Sequence, residues 1–91
     1  MQTSLHGKVA FVTGSARRVG RAILLGFAAQ GANVVIHHSN SDADAERTRL
    51  DAKALGVDAL VVKGDYADPD AIARTFDEIV AHYGRIDVLV N

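Results

Sequence analysis

The chain has 91 residues, which is enough for one small folded unit. Hydrophobic residues make up 48% of it and charged residues 23%, ordinary globular values that exclude a disordered or fibrous chain. The net charge of −1 offers no basic surface for nucleic acid or an anionic membrane, and the absence of cysteine excludes disulfides and thiolate metal sites. Residues 1–8 have no apolar signal-peptide core and no apolar run approaches the ~20 residues of a membrane span, so we expect a cytoplasmic protein.

Four short apolar runs recur at even intervals and predict buried strands. The runs are Val9–Val12, Val34–Ile36, Ala59–Val62 and Ile86–Val90. The three segments between them have helical length and composition, and each is followed by a glycine suited to a helix end, namely Gly31, Gly56 or Gly84. Alternating strands and helices predict an α/β protein of order β-α-β-α-β-α-β, with a doubly wound parallel sheet and right-handed crossovers.

The first two helices are predicted from about Val19 to Gln30 and from about Asp42 to Leu55. In the first helix, Ile23 and Phe27 are spaced to face the sheet. The second helix has only a thin apolar stripe, so we expect much of it to be solvated. The stripe consists of Ala43, Leu50 and Ala54.

The third helix has the clearest signals in the chain. Asp68 is a suitable N-cap, and Pro69 occupies the first helical position, where its missing N–H costs nothing. An apolar face is predicted to cover the sheet. Its residues are Ile72, Phe76, Ile79, Val80 and Tyr83.

A glycine-rich turn joins the first strand to the first helix. Gly14 permits a sharp turn, and the N–H groups that open the helix attract an anion such as a phosphate. The spacing from Gly14 to Gly20 fits neither a Walker loop nor the G-x-G-x-x-G fingerprint. What remains is Thr-Gly-x-x-x-Arg-x-Gly at residues 13–20, and nucleotide binding is the leading interpretation.

These residues resemble the short-chain dehydrogenases/reductases, whose motif after the first strand is Thr-Gly-x-x-x-Gly-x-Gly. Residues 13–20 match it except at Arg18, and residues 87–91 are similar to the run into the family's Asn-Asn-Ala-Gly segment. Arg18 and the histidine-containing residues 35–41 resemble the pteridine reductase subgroup, although Asn40 stands where that subgroup usually has Arg. The resemblance implies a Rossmann-type fold, a nicotinamide coenzyme and a homotetramer or other homo-oligomer.

The loop after the second strand bears on which coenzyme is bound. Enzymes selective for NAD place a carboxylate there to hold the ribose hydroxyls, and no acid lies between Gly14 and Asn40. Ser39, Asn40 and Ser41 offer hydrogen-bond donors, and Arg17 or Arg18 offers positive charge. We therefore predict NADP(H), with NAD(H) less favoured. Ser41 with Asp44 also approximates a capping box, so its hydroxyl serves the helix, a phosphate or both.

The predicted coenzyme site spans several segments. Its members are Gly14, Arg17, Arg18, Val19, Gly20, His38, Ser39, Asn40, Ser41, Asp65, Tyr66 and Asn91. By the resemblance, Asp65 contacts the adenine amino group, Tyr66 lies near the adenine ring and Asn91 lines the coenzyme groove. The alternative for Asp65 is that it only shapes a turn. His37 and His38 lack further metal ligands at suitable spacing, so they favour a stacking or loop role and no metal site is predicted.

The family's catalytic Tyr-x-x-x-Lys is missing, because Tyr66 and Tyr83 are followed four residues later by Asp70 and Asp87. No catalytic residue is therefore assigned to this chain. We expect residues 1–91 to be the first half of a Rossmann domain, truncated after the fourth strand. With the missing C-terminal half, it would reduce a carbonyl or C=N bond in a small molecule such as a pteridine.

Two other interpretations stay open. The chain could be a stand-alone nucleotide-binding module that never had a catalytic half; a stable 9.7 kDa species binding NADPH alone would favour it. A methyltransferase-like sheet would require acidic residues near the glycine turn and after the second strand, and neither is present.

Overall fold

The computed structural model describes residues 4–91 and contains the predicted elements in the predicted order. Residues 1–3, the start of the segment judged to lack a signal-peptide core, lie outside the described residues. The elements are β1 (Val9–Val12), α1 (Arg18–Ala29), β2 (Asn33–His38), α2 (Asp42–Ala54), β3 (Ala59–Lys63), α3 (Pro69–Tyr83) and β4 (Val88–Val90). The strands form one parallel sheet of order β3-β2-β1-β4, which confirms the predicted α/β architecture.

The ends of two strands differ from the prediction, because pairing in the sheet and hydrophobicity do not stop at the same residue. Strand β2 continues to His38, because its histidines pair in register with Val62 and Lys63 of β3 despite their polarity. Strand β4 begins at Val88, two residues later than expected. Apolar runs locate the buried centre of a strand, whereas ladder pairing sets its ends.

The sheet is covered on both faces. Side chains alternate along β1, so Ala10 and Val12 pack toward α1 and α2, while Val9 and Phe11 pack toward α3. Phe11 meets Phe76 of α3 edge to face, with ring centroids 5.6 Å apart. This three-layer arrangement leaves the carboxyl ends of the strands as one open rim.

The buried face of α1 is centred one residue later than predicted, although Phe27 packs against the core as expected. Leu24 and Ala28 are fully buried, whereas Ile23 is 38% exposed and Phe27 is half-buried. Gly20 seats α1 against the turn at Gly14, and positions four residues apart share one helix face. The contact at Gly20 therefore turns residues 24 and 28 toward the sheet.

The predicted stripe on α2 is also wrong, because Ala43, Leu50 and Ala54 are all exposed. The buried residues are Ala45, Thr48 and Ala52. The Thr48 hydroxyl donates a hydrogen bond to the Ala16 carbonyl at 2.7 Å, which ties α2 to the turn before α1. A polar residue thus sets the orientation of this helix, and apolar spacing alone does not reveal it.

Helix α3 begins as predicted. Asp68 caps it by accepting a hydrogen bond from the Asp70 N–H at 3.0 Å, and Pro69 is its first residue. Ile79 is buried as expected, but Val80 is 52% exposed and does not belong to the packed face. Gly84 ends the helix with φ 75°, a left-handed conformation that suits glycine.

Asp87 links β4 to the start of β1. Its carboxylate binds Arg85 and accepts a hydrogen bond from the Val9 N–H at 2.8 Å, and these contacts hold the pKa of Asp87 below its usual 3.8. A lowered carboxyl pKa stabilises the fold above pH 3.8, and that contribution is lost as the pH falls further.

We expect D87N to be less stable than the wild type at pH 7, with a difference that shrinks as the pH falls through 3.8 toward 3. The measurement is the free energy of unfolding in urea at pH 7, 5, 4 and 3. A difference that is the same at every pH would contradict the role given to this carboxylate.

Candidate functional site

Residues predicted to bind one ligand follow four different strands. Gly14, Ser39, Asp65 and Asn91 come just after the ends of β1, β2, β3 and β4. Because the strands are parallel, all of these ends meet at the same rim of the sheet. The winding direction reverses between β1 and β4, where open α/β sheets bind ligands.

The glycine turn has two positions that favour glycine, one for its backbone angle and one for lack of space. Gly14 has φ 59°, in the left-handed region. At Gly20, a Cβ would overlap the Gly14 carbonyl oxygen and lie 2.9 Å from the carbonyl carbon. The two glycines therefore let the first turn of α1 rest directly on the backbone that precedes it.

Arg18 is the only non-glycine residue with positive φ among residues 4–91, at φ 58°. This is the position at which the family motif has glycine. An L side chain in this conformation costs roughly 1 kcal/mol or more relative to glycine. The backbone at position 18 is thus left-handed, as glycine would allow, but the residue is an arginine, so the turn is locally strained.

The first turn of α1 offers free donors. Within the described part of the chain, the N–H groups of Arg18, Val19 and Gly20 have no hydrogen-bond acceptor. Arg17 and Arg18 are exposed, and no carboxylate in residues 4–91 lies within ion-pair distance of either. Free amides and two guanidinium groups without a carboxylate partner give this corner a local positive potential that favours an anion.

A cleft of about 210 Å³ lies beside this turn, between the ends of β1 and β2. It is lined by Gly14, Ala16, Arg17, His37, His38, Ser39, Asn40 and Ser41. Six of these were predicted, while Ala16 and His37 were not. Arg18, Val19 and Gly20 do not line it and belong to the adjoining first turn of α1.

Two other predicted residues, Tyr66 and Asn91, line a separate cleft of about 180 Å³ near the ends of β1 and β4. This second cleft is bordered mainly by apolar side chains, including Phe11, Phe76 and Leu89. Asn91 lies 3.2 Å from the Thr13 hydroxyl, which places it beside the point where the strand order reverses. Asp65 lines neither cleft.

His38 and Ser41 are held by each other. The Ser41 N–H donates to His38 Nδ1 at 3.0 Å, and the Ser41 side chain makes no capping hydrogen bond to α2. The capping-box alternative is therefore wrong, and Ser41 is one of the residues that line the cleft. Burial lowers the pKa of His38, with the nearby Asp42 carboxylate opposing that shift, so His38 contributes no full positive charge at neutral pH.

The first acidic residue after the glycine turn is already paired. Asp42 lies 3.0 Å from the Lys63 ammonium and 3.6 Å from His38 Nε2. Its charge is thus offset by Lys63 at the end of β3. A phosphate near Ser39 meets little uncompensated negative charge in this cleft.

Asp65 shapes its own turn, and its contact with an adenine amino group stays a prediction. One carboxylate oxygen accepts a hydrogen bond from the Ala67 N–H at 2.9 Å. Next to it, Tyr66 stacks on His37 with ring centroids 3.9 Å apart and an angle of 18°. The stacking role predicted for the histidines is confirmed at His37. Burial raises the pKa of Tyr66, whose hydroxyl finds no partner in the described chain.

His37 is one of the two cleft residues that the predicted site omitted, the other being Ala16. His37 lies inside β2, is 7% exposed and contacts both the glycine turn and Gly64 after β3. A signal for this was present, because His37 is two residues after Val35 and so shares its sheet face with Tyr66 and α3. Among residues 4–91 no three side chains form a metal-binding cluster, and no helix is long and apolar enough to cross a bilayer.

The chain is similar to known dehydrogenases and reductases over nearly its whole length. The profile described as short chain dehydrogenase matches residues 8–91. Elsinochrome reductase 1 of Elsinoe fawcettii is 46% identical over 88 residues, which is 96% of this chain and 33% of that protein.

Two solved structures share the fold over nearly the whole chain. A short chain dehydrogenase from Burkholderia cenocepacia J2315 in complex with NADP superposes with a TM-score of 0.93 at 38% identity, over 98% of this chain and 36% of that one. A metagenomic short-chain oxidoreductase in complex with NADP gives 0.89 at 34% identity, over 96% and 39%. The chain spans about a third of the length of the curated relatives it matches.

Proposed function

Because the chain belongs to the short-chain dehydrogenase family, we propose that it forms the coenzyme-binding part of an NADPH-dependent reductase. NADPH supplies the hydride when it is bound. The observation that carries the coenzyme proposal is the set of free amides at Arg18, Val19 and Gly20 beside two unpaired guanidinium groups. These donors fit a diphosphate.

The preference for NADPH over NADH rests on charge. No carboxylate precedes Asp42 in the loop, and Asp42 is offset by Lys63. Ser39, Asn40 and Ser41 place donors along the cleft that Arg17 also lines. We propose that this cleft holds the 2′-phosphate, which a carboxylate would repel. Two structural relatives that contain NADP support this choice.

The chain's own residues bind and orient the coenzyme, and no Tyr-x-x-x-Lys is present to move a proton. We propose that catalysis requires residues outside these 91, supplied by the rest of a longer domain that acts on a small molecule and assembles as a homo-oligomer. A carbonyl or C=N bond is the proposed acceptor of the hydride. A pteridine substrate is proposed from Arg18 and the histidine-containing residues 35–41. The reductase compared above is instead named for elsinochrome.

The direct test is a titration of the protein with NADPH and NADH, followed by nicotinamide fluorescence. We expect NADPH to bind at least about tenfold more tightly, since one extra charge-assisted contact provides about 1.5–3 kcal/mol. Tighter binding of NADH would contradict the phosphate assignment. Binding of neither coenzyme would contradict the proposed function itself.

Replacing Ser39 with Ala removes one proposed donor to the 2′-phosphate. We expect the Kd for NADPH to rise about tenfold and the Kd for NADH to change little, because only NADPH carries that phosphate. The control is S4A, since Ser4 precedes β1 and its hydroxyl contacts only the local His6 N–H among the described residues. Equal losses for both coenzymes in S39A would remove Ser39 from the phosphate site.

A further inference from the structure

The His37 imidazole joins three strand ends. The Gly14 N–H donates to His37 Nδ1 at 3.0 Å, and His37 Nε2 lies 2.8 Å from the Gly64 carbonyl oxygen. Because Nδ1 accepts a hydrogen bond, the ring proton resides on Nε2, which donates to Gly64. One buried side chain thus fixes the turn after β1 and the turn after β3 to β2.

The backbone at His37 reinforces the same connection. The Ser15 N–H donates to the His37 carbonyl at 2.9 Å, and the His37 N–H donates to the Ser15 hydroxyl oxygen at 3.1 Å. That hydroxyl donates in turn to the Val12 carbonyl at 2.6 Å. The backbone of the glycine turn is therefore held against β2. Among residues 4–91, the imidazole of His37 makes the one side-chain hydrogen bond from β2 to Gly14.

Gly14 determines where the free amides of α1 point. Gly20 rests on the Gly14 carbonyl, and the first turn of α1 follows the position of that carbonyl. The Gly14 N–H is already used by His37. The free N–H groups of Arg18, Val19 and Gly20 belong to the helix that follows.

We propose that His37 is a positioning residue for coenzyme binding, which holds Gly14 by accepting its N–H at Nδ1 while Nε2 donates to Gly64. The proposal rests on the proposed function of nicotinamide coenzyme binding. It requires coenzyme affinity to depend on the hydrogen-bond acceptor at Nδ1 and not on the stacking of the ring on Tyr66.

Two substitutions separate these contributions. H37N keeps an acceptor near the position of Nδ1 and loses the ring, whereas H37F keeps the ring against Tyr66 and leaves the Gly14 N–H without its acceptor. We expect H37F to weaken NADPH and NADH equally, by about tenfold or more, and H37N to stay within about threefold of the wild type. The loss is equal because the turn binds the diphosphate that both coenzymes share.

A matched control separates positioning from general stability. At the amino-terminal end of β3, D58N replaces the carboxylate that accepts the Tyr83 hydroxyl hydrogen bond with a neutral amide, which is a weaker acceptor. We expect D58N to lower the midpoint of thermal unfolding while leaving the Kd of NADPH unchanged. If D58N weakens coenzyme binding as much as H37F does, the effect of H37F is ordinary destabilisation and the proposal fails.

Nuclear magnetic resonance of the coenzyme-free protein tests the geometry without any binding assay. Long-range ¹⁵N–¹H spectra should show the His37 proton on Nε2, and hydrogen exchange at the Gly14 amide should accelerate about tenfold or more in H37F but not in H37N. A proton on Nδ1, or unchanged Gly14 exchange in H37F, overturns the proposal.

The binding measurements separate the positioning role from the proposed function. If the wild type binds neither coenzyme, the proposed function is wrong and the positioning role is wrong with it. If the wild type binds tightly and H37F binds equally well, only the positioning role is wrong.

Discussion

Replacing Gly20 with Ala is expected to destabilise the protein by about 3 kcal/mol, because an added Cβ collides with backbone rather than with a movable side chain. The Cβ would overlap the Gly14 carbonyl oxygen and lie 3.0 Å from the Ser15 Cα. Relief requires α1 to move away from the turn, which also displaces the free amides. Coenzyme binding should therefore weaken together with stability.

The matched control is Gly26, which belongs to the same helix and has open space around the position of a Cβ. G26A should stabilise the protein by about 0.5–1 kcal/mol, the usual gain of Ala over Gly inside a helix. Urea unfolding gives both values, and fluorescence titration with NADPH gives the binding. A G20A variant within about 0.5 kcal/mol of the wild type would show that α1 does not rest on Gly14 as described.

Replacing Arg18 with Gly is expected to raise the stability of the fold and to weaken coenzyme binding. R18G restores the residue suited to φ 58° and should stabilise the fold by about 1 kcal/mol. The same change removes a guanidinium beside the phosphate site. We expect the Kd of NADPH to rise about tenfold or more, with a smaller rise for NADH.

R18A separates the two effects, because it removes the charge and keeps the strained left-handed backbone. It should match R18G in coenzyme binding and lack the gain in stability. Equal weakening of NADPH and NADH in both variants would assign Arg18 to the shared diphosphate instead of the 2′-phosphate. No gain in stability for R18G would mean that the arginine makes contacts that offset its backbone strain.

The elements and their order followed from local features of the chain. Apolar runs marked the four strands, and Asp68 with Pro69 marked the start of α3. These signals are local because each depends on the propensity, capping or burial of a few neighbouring residues. The membership of most cleft residues was also predictable, since parallel strands bring their carboxyl ends to one rim.

Helix faces and the role of His37 were decided by contacts between elements. The close approach of Gly20 to Gly14 rotated α1 so that Leu24 and Ala28 faced the sheet, and the Thr48 bond to Ala16 set the face of α2. Such contacts depend on residues far apart in the chain, which periodicity within one helix does not encode.

The amino-acid sequence alone therefore determined the alternation of strands and helices, the glycine turn and the lack of an acid before Asp42. Only the tertiary structure decided that the Gly14 N–H is taken by His37, that Arg18 carries a left-handed backbone and that Ser41 does not cap α2. The physical reason is that propensities act over a few residues, whereas hydrogen-bond partners and packing clashes are set by the assembled sheet and its helices.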